Sequence, residues 1–148
     1  MADKQVKAMT ANIETPVFET TAFTTPKPLH ECTVAIVTSA SLHHPDDDDF
    51  APSDAGYRVL SGARRDYMMG HWSPNFDAMG FAVDINTVFP IDRLDELAAS
   101  GVIGSVAVEH LSYAGNQFDL SAVRLDSGPA GAKRLLAQGV DVVLLTPV

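Results

Sequence analysis

Apolar positions in this chain fall into short β-branched runs separated by polar stretches, with one clear amphipathic helix between them. "TVAIVTSA" (Thr33–Ala40) is a compact apolar run ending in small hydroxylated residues and predicts the first core strand. "FAVDINTVFP" (Phe81–Pro90) alternates, with Phe81, Val83, Ile85, Thr87 and Phe89 on one side and Asp84 and Asn86 on the other. That period of two predicts an extended segment with one polar face. Pro90 then suits a helix start and Asp92, Asp95 and Glu96 favour its positive end. Ile91, Leu94, Leu97 and Ala98 form one stripe before Gly101 stops the helix. "VIGSVAVEH" predicts a second buried strand and "LSYAGN" a glycine-containing turn. A helical region follows within Phe118–Gln138, which Gly128, Pro129 and Gly131 can break or restart. "GVDVVLLTPV" (Gly139–Val148) places a helix-stopping glycine before an apolar strand of the kind buried on both faces of a parallel sheet.

This alternation predicts an α/β fold: a three-layer, Rossmann-like domain with a mainly parallel sheet over residues 32–148. Residues 1–31 read differently. Pro16, Pro26 and Pro28 impose extended backbone, and Val17, Phe18 and Phe23 favour docking onto a neighbour, so an extended N-terminal arm is expected. Between Ser41 and Gly80 no period is sustained, yet histidines, aspartates and arginines concentrate there, as in a long functional loop.

Composition narrows the function classes. A length of 148 residues with 46% hydrophobic content suits one domain, and a net charge of −9 repels nucleic-acid backbones and anionic membrane surfaces. Neither an apolar leader nor a membrane-length stretch is evident. The single cysteine, Cys32, fits a reducing, cytoplasmic setting.

In a doubly wound sheet, ligands bind beyond the carboxyl ends of the strands. Thr38 and Ser39 after the first strand, Glu109 and His110 after the middle one, and Thr146 near the last can converge there, although short polar residues also simply turn strands into loops. His110 is the best placed of these to move protons. In "GHWSPNFD" Asp77 can orient His71, an arrangement indistinguishable in sequence from surface capping and stacking on Trp72. Arg58 suits bidentate binding of a carboxylate, or pairing with the aspartates before it. "HHPDDDD" (His43–Asp49) carries ligand types without the spacing of a closed site, so no metal is expected. No dinucleotide, P-loop, nucleophile-elbow or C-x-x-C signature occurs, which leaves acid–base chemistry to this chain.

"TVAIVTSA", "GYRVL", "HWSPNFD", "DINTVFPIDRLDELAASGVIGSVAVEHLSYAG" and "GVDVVLLTPV" together resemble the amino-terminal part of the selenoprotein B family of glycine, sarcosine and betaine reductases and D-proline reductase. The resemblance implies reductive cleavage of a C–N bond in a small amino-acid derivative within a multisubunit complex. It implies a redox-active selenocysteine or cysteine just after the position of Val148, and an external thiol reductant. A UGA codon read as a stop, a separate polypeptide, or a shortened homologue would each account for its position outside these residues. The resemblance also implies that Arg58, His71, Asp77, Asp84, Asn86, Arg93 and His110 frame the pocket, with His110 and His71 as proton donors. A non-redox ligand-binding or assembly subunit is the alternative. A homo-oligomer joined through the arm or the last strand is expected.

Overall fold

The computed structural model describes residues 4–5, 8, 11, 17–21, 23–73, 78–115, 117 and 119–148. Asp77, expected to orient His71, lies outside the described residues. The fold is mixed α/β with a mainly parallel sheet. Its centre is β1 (Thr33–Thr38), whose Ala35 and Ile36 are fully buried. On one flank β7 (Val142–Thr146) runs parallel to β1 in unbroken register from Val34↔Val142 to Thr38↔Thr146. On the other flank lie β5 (Ser105–Val106) and β6 (Glu109–Tyr113), also parallel. β3 (Tyr57–Ser61) adds an antiparallel strand outside β6, and β2 (Leu42–His43) pairs with β4 (Met68–Met69) as a separate small ribbon.

Helices cover both sheet faces. On one, α2 (Ile91–Ala99) buries Ile91 and Leu94 against Val34 and Ile36, together with Phe89 and Leu60. On the other, α3 (Gly128–Ala137) buries Leu135 against Ala35 and Leu111. Gly101 and Gly139 have φ of +74° and +75°, so each ends its helix in the left-handed conformation that glycine adopts without a Cβ penalty.

Local expectations fail in four places. The alternating segment Phe81–Pro90 is not extended: α1 (Ala78–Val83) and a 3-10 turn (Ile85–Thr87) occupy it. The Asp84 side chain accepts from the Asn86 amide and starts that turn, so a local side-chain bond overrides the period of two. The middle apolar run is two strands, and the expected turn at Leu111–Tyr113 continues the second of them. Glu109 and His110 consequently open β6 rather than follow a strand. Last, β7 is not buried on both faces, since Val143, Leu144 and Leu145 are exposed. The described residues from Val17 to Glu31 are also exposed, apart from the undescribed position 22.

The two flanks of β1 differ in one decisive way. β5 pairs Thr33 with Ser105, but β6 pairs Val37 with Leu111, so the flank carries two extra residues around Ala107–Val108. The Val108 carbonyl is drawn to the Gly62 amide on the β3 side. The Ile36 amide of β1 donates instead to His110 Nδ1 at 2.9 Å. An imidazole nitrogen thus takes the place of a strand carbonyl.

Candidate functional site

At the carboxyl end of the sheet the strand-end hydroxyls do converge. Thr38 Oγ1 and Thr146 Oγ1 both donate to the Val88 carbonyl, at 3.0 and 2.9 Å. Ser39 Oγ accepts from the Val148 amide at 2.9 Å. These hydroxyls tie the loop before α2 across the ends of β1 and β7. Asp84 and Asn86 belong to the same loop. Asn86 Nδ2 bridges Asp84 and Asp92, while its Oδ1 accepts from the Asp92 amide at the start of α2. Arg65 then pairs with Asp92 and Asp95. Arg93 points into this outer surface and pairs with Glu96.

Beyond the strand ends, Ser41 sits at φ 56°, a left-handed conformation that costs free energy in a non-glycine residue and is concentrated at functional sites. Its amide donates to the Tyr113 carbonyl and its own carbonyl accepts from Gly70. This kink turns the chain from β1 into β2 and brings the β4 segment alongside. His71 follows it and packs where β1 and β6 end: a Cβ on Gly115 would fall 2.5 Å from His71 Nε2 and 2.8 Å from the Ser39 carbonyl. Only glycine leaves that room. His71 Nδ1 accepts from the Ser73 amide at 3.1 Å, and burial pushes its pKa below the ordinary value.

His71 shares an open cavity of about 330 Å³ with His43, Asp49, Phe50, Met68, Met69, Gly70 and Trp72. The neighbouring histidines of "HHPDDDD" diverge, His43 closing β2 and His44 following it. His44 turns inward, its Nε2 accepting from the Ser61 amide at 3.0 Å. His43 turns to the cavity, where its Nε2 stands 2.9 Å from the Asp49 carboxylate. Asp49 arrives there because the loop doubles back, with the Asp47 side chain accepting from the His44 amide and the Asp47 amide donating to the His44 carbonyl. Arg58 holds the returning chain by donating to the carbonyls of Asp48 and Asp49 and to the Asp54 carboxylate. Its guanidinium lies 4.4 Å over the Phe50 ring. Arg58 is therefore occupied by the aspartate loop, the second of its two readings.

His110 stands apart from this cavity. It is fully buried, edge-on to Phe89, with Nδ1 committed to Ile36. Burial, with the Arg65 charge adding to it, pulls its pKa to about 4, so the ring is neutral near pH 7. Cys32 lies at the opposite, amino end of β1, where its thiol is buried against the Lys27 and Pro28 carbonyls. The structure thus gathers Thr38, Ser39 and Thr146 at the ends of β1 and β7, sets His71 near the Ser39 carbonyl but in a separate cavity, places Asp84, Asn86 and Arg58 in flanking loops, and keeps His110 out of the His71 cavity. His43, Asp49 and Trp72 complete the His71 cavity. The doubled histidine before the acidic run was the visible trace of the first two, and Trp72 stood next to His71 in "GHWSPNFD".

No family model and no solved structure matches the chain. Among curated proteins, D-proline reductase subunit gamma of Acetoanaerobium sticklandii is 34% identical over 145 residues, covering 95% of this chain and 59% of that subunit. The chain is thus related to a D-proline reductase subunit and spans about three fifths of its length.

Proposed function

We propose that this chain is the substrate-holding part of a reductase that cleaves the C–N bond of a small amino-acid derivative of the glycine, sarcosine, betaine or D-proline type. The observation that carries this reading is the 34% identity to a D-proline reductase subunit across nearly the whole chain. The crevice beyond β1 and β7 supports it, being the position where open α/β sheets bind ligands. The electrons come from thiol or selenol groups outside these residues, which are oxidised to a disulfide or selenenylsulfide as the C–N bond is reduced to C–H and N–H. Here Cys32 is at the wrong end of β1 to take that role. The contributions of this chain are to hold the substrate, with Ser39 and the Ser41 kink at the strand ends, and to move a proton at His71. Thr38 and Thr146, with Asp84 and Asn86, fix the loop that walls the crevice. Arg58 fixes the opposite loop, and His110 holds the sheet beneath. Such thiol-dependent chemistry belongs to a reducing, cytoplasmic setting, and the uncovered β7 edge is where a further subunit or a second copy joins.

The test is to co-express the chain with a polypeptide covering the remaining two fifths of the relative and to measure dithiothreitol-dependent consumption of D-proline, glycine, sarcosine and betaine. Turnover of one of them establishes the reading, and no turnover of any overturns it. The exclusion of Cys32 from the crevice favours a second reading, a ligand-holding subunit without redox chemistry of its own. Calorimetry on the 148-residue chain separates the two: binding of one of the four ligands with no turnover in the complex leaves the second standing.

A further inference from the structure

An open groove of about 590 Å³ runs between β7 and α3, and apolar side chains dominate its lining. They come from β1 and β6 (Val37, Leu111), from β7 (Val143, Leu145), and from α3 with the helical turn Val123–Ser127 before it (Val123, Ala132). Leu136 extends this surface, lying one helical turn beyond Ala132 and 71% exposed. A contiguous apolar surface of this kind marks a place where something binds. Two cations stand beside it. Arg124 follows Val123 and Lys133 follows Ala132 in sequence, and neither is in an ion pair among the described residues.

The N-terminal arm has the complementary composition. Val17 and Phe18 are exposed, and the sequence sets Glu14 and Glu19 on either side of them. An apolar pair flanked by carboxylates matches an apolar groove flanked by cations, in a chain whose net charge of −9 otherwise opposes self-association. The arm is also in the right place. Its base is tied to the residue before β7 by the Lys27–Asp141 ion pair, and the Arg124 guanidinium lies 5.4 Å from the Phe18 ring. Phe18 therefore comes to the rim of the groove, yet it is 67% exposed and Val17 is 93% exposed. Within one chain the arm reaches the rim without filling the groove.

We propose that the groove receives the arm of a second copy of this chain, with Val17 and Phe18 entering between β7 and α3 and the arm's carboxylates meeting Arg124 and Lys133. A two-fold axis makes the exchange twice, since each copy gives one arm and receives one, so assembly closes at a dimer. Reach is not limiting: the stretch from Phe18 to Lys27 spans about 30 Å when extended. The inference uses no substrate chemistry and stands or falls apart from the reductase reading.

Photo-cross-linking of the full chain tests it. Chain carrying the photo-reactive benzoylphenylalanine in place of Phe18 is mixed with nitrogen-15-labelled wild-type chain and irradiated. The expected products join an arm peptide of one isotopic mass to a peptide within residues 123–147 of the other. Cross-links confined to one chain, or between chains but outside those residues, overturn the proposal. Sedimentation at micromolar concentration supplies the second measurement. The wild type is expected to be a dimer, and Ala132→Trp, which fills the groove from an exposed position, should weaken it at least about 10-fold, as should Phe18→Ser. A wild-type monomer, or an unchanged dissociation constant in either variant, overturns the proposal. Phe18→Ser alters only an exposed side chain of the arm, so its effect on association is separate from any effect on folding.

Discussion

The two flanks of β1 solve the same problem in opposite ways. Towards β7 the ladder is regular over five residue pairs, pinned at its start by Asp141, whose carboxylate accepts from the Thr33 amide and pairs with Lys27. Towards β5 and β6 the register slips by two residues, and a side chain, His110, repairs the ladder at Ile36. The irregular flank is nevertheless the buried one: β3 closes it, and His110, Leu111 and Ser112 are inaccessible. The regular flank is exposed along Val143 to Leu145. Ladder regularity and completeness of packing are therefore separate properties. In this molecule the flank with the poorer ladder is the better packed, and the flank with the better ladder leaves apolar side chains exposed.

The largest effect expected from breaking this contrast is at His110. His110→Ala leaves the Ile36 amide buried without its acceptor and opens a cavity beside Phe89, a loss of about 3–5 kcal/mol in denaturant-unfolding stability. A loss below about 1 kcal/mol would show that the ladder relaxes without the imidazole. The same ring makes stability depend on pH. Its folded pKa of about 4 lies below the ordinary 6.5, so protons bind the unfolded chain first as pH falls. Its contribution is complete above about pH 6.5 and is lost on acidification towards pH 4, amounting to about 3 kcal/mol across that window. His110→Asn offers an acceptor to Ile36 but does not titrate, and unfolding curves at pH 7.5 and pH 4.5 should then lose most of their separation. An intermediate effect is expected where α3 packs on β6. A Cβ at Gly131 would overlap the Tyr113 hydroxyl and come within 2.8 Å of Leu111 Cδ1, so Gly131→Ala should cost about 1–3 kcal/mol through overpacking, read as a lowered urea midpoint at unchanged slope.

The sequence showed most clearly those features that depend on local pattern. The β1 strand, the helix from Ile91 and the two glycine stops follow from apolar spacing and from backbone freedom at Gly101 and Gly139. Phe81–Pro90 misled because a period of two can arise without a strand when Asp84 caps a turn. The meeting of the strand-end hydroxyls at the ends of β1 and β7 was legible, since strand order fixes where strand ends lie side by side. The partners within the His71 cavity were not legible. Nothing in spacing tells that Asp49 reaches His43 rather than solvent, because that contact depends on Arg58 holding the loop from β3. Nor does a histidine in an apolar run announce that it will substitute for a carbonyl, since the two-residue slip that creates the vacancy is a property of the pairing of two distant segments.

The smallest effect on folding, and the sharpest test of the contrast, is expected at the open flank. Val143 and Leu145 line an apolar groove of about 590 Å³ between β7 and α3, with Leu145 69% exposed. Because so little of Leu145 is withdrawn from water, Leu145→Lys should change unfolding stability by no more than about 0.5 kcal/mol. Its consequence belongs to association instead. A charge on an unpaired strand edge opposes strand addition, because pairing would strip water from the ammonium group. If the full chain self-associates through β7, sedimentation at micromolar concentration should show an oligomer for the wild type and a monomer for Leu145→Lys, with nearly equal unfolding curves. Removing residues 1–23, which keeps Lys27 and its bond to Asp141, tests the arm separately. An oligomer that survives Leu145→Lys but not this truncation would move the interface to the arm, where Val17, Phe18 and Phe23 are exposed. A wild-type monomer would remove self-association from both surfaces and leave the β7 edge to a different polypeptide.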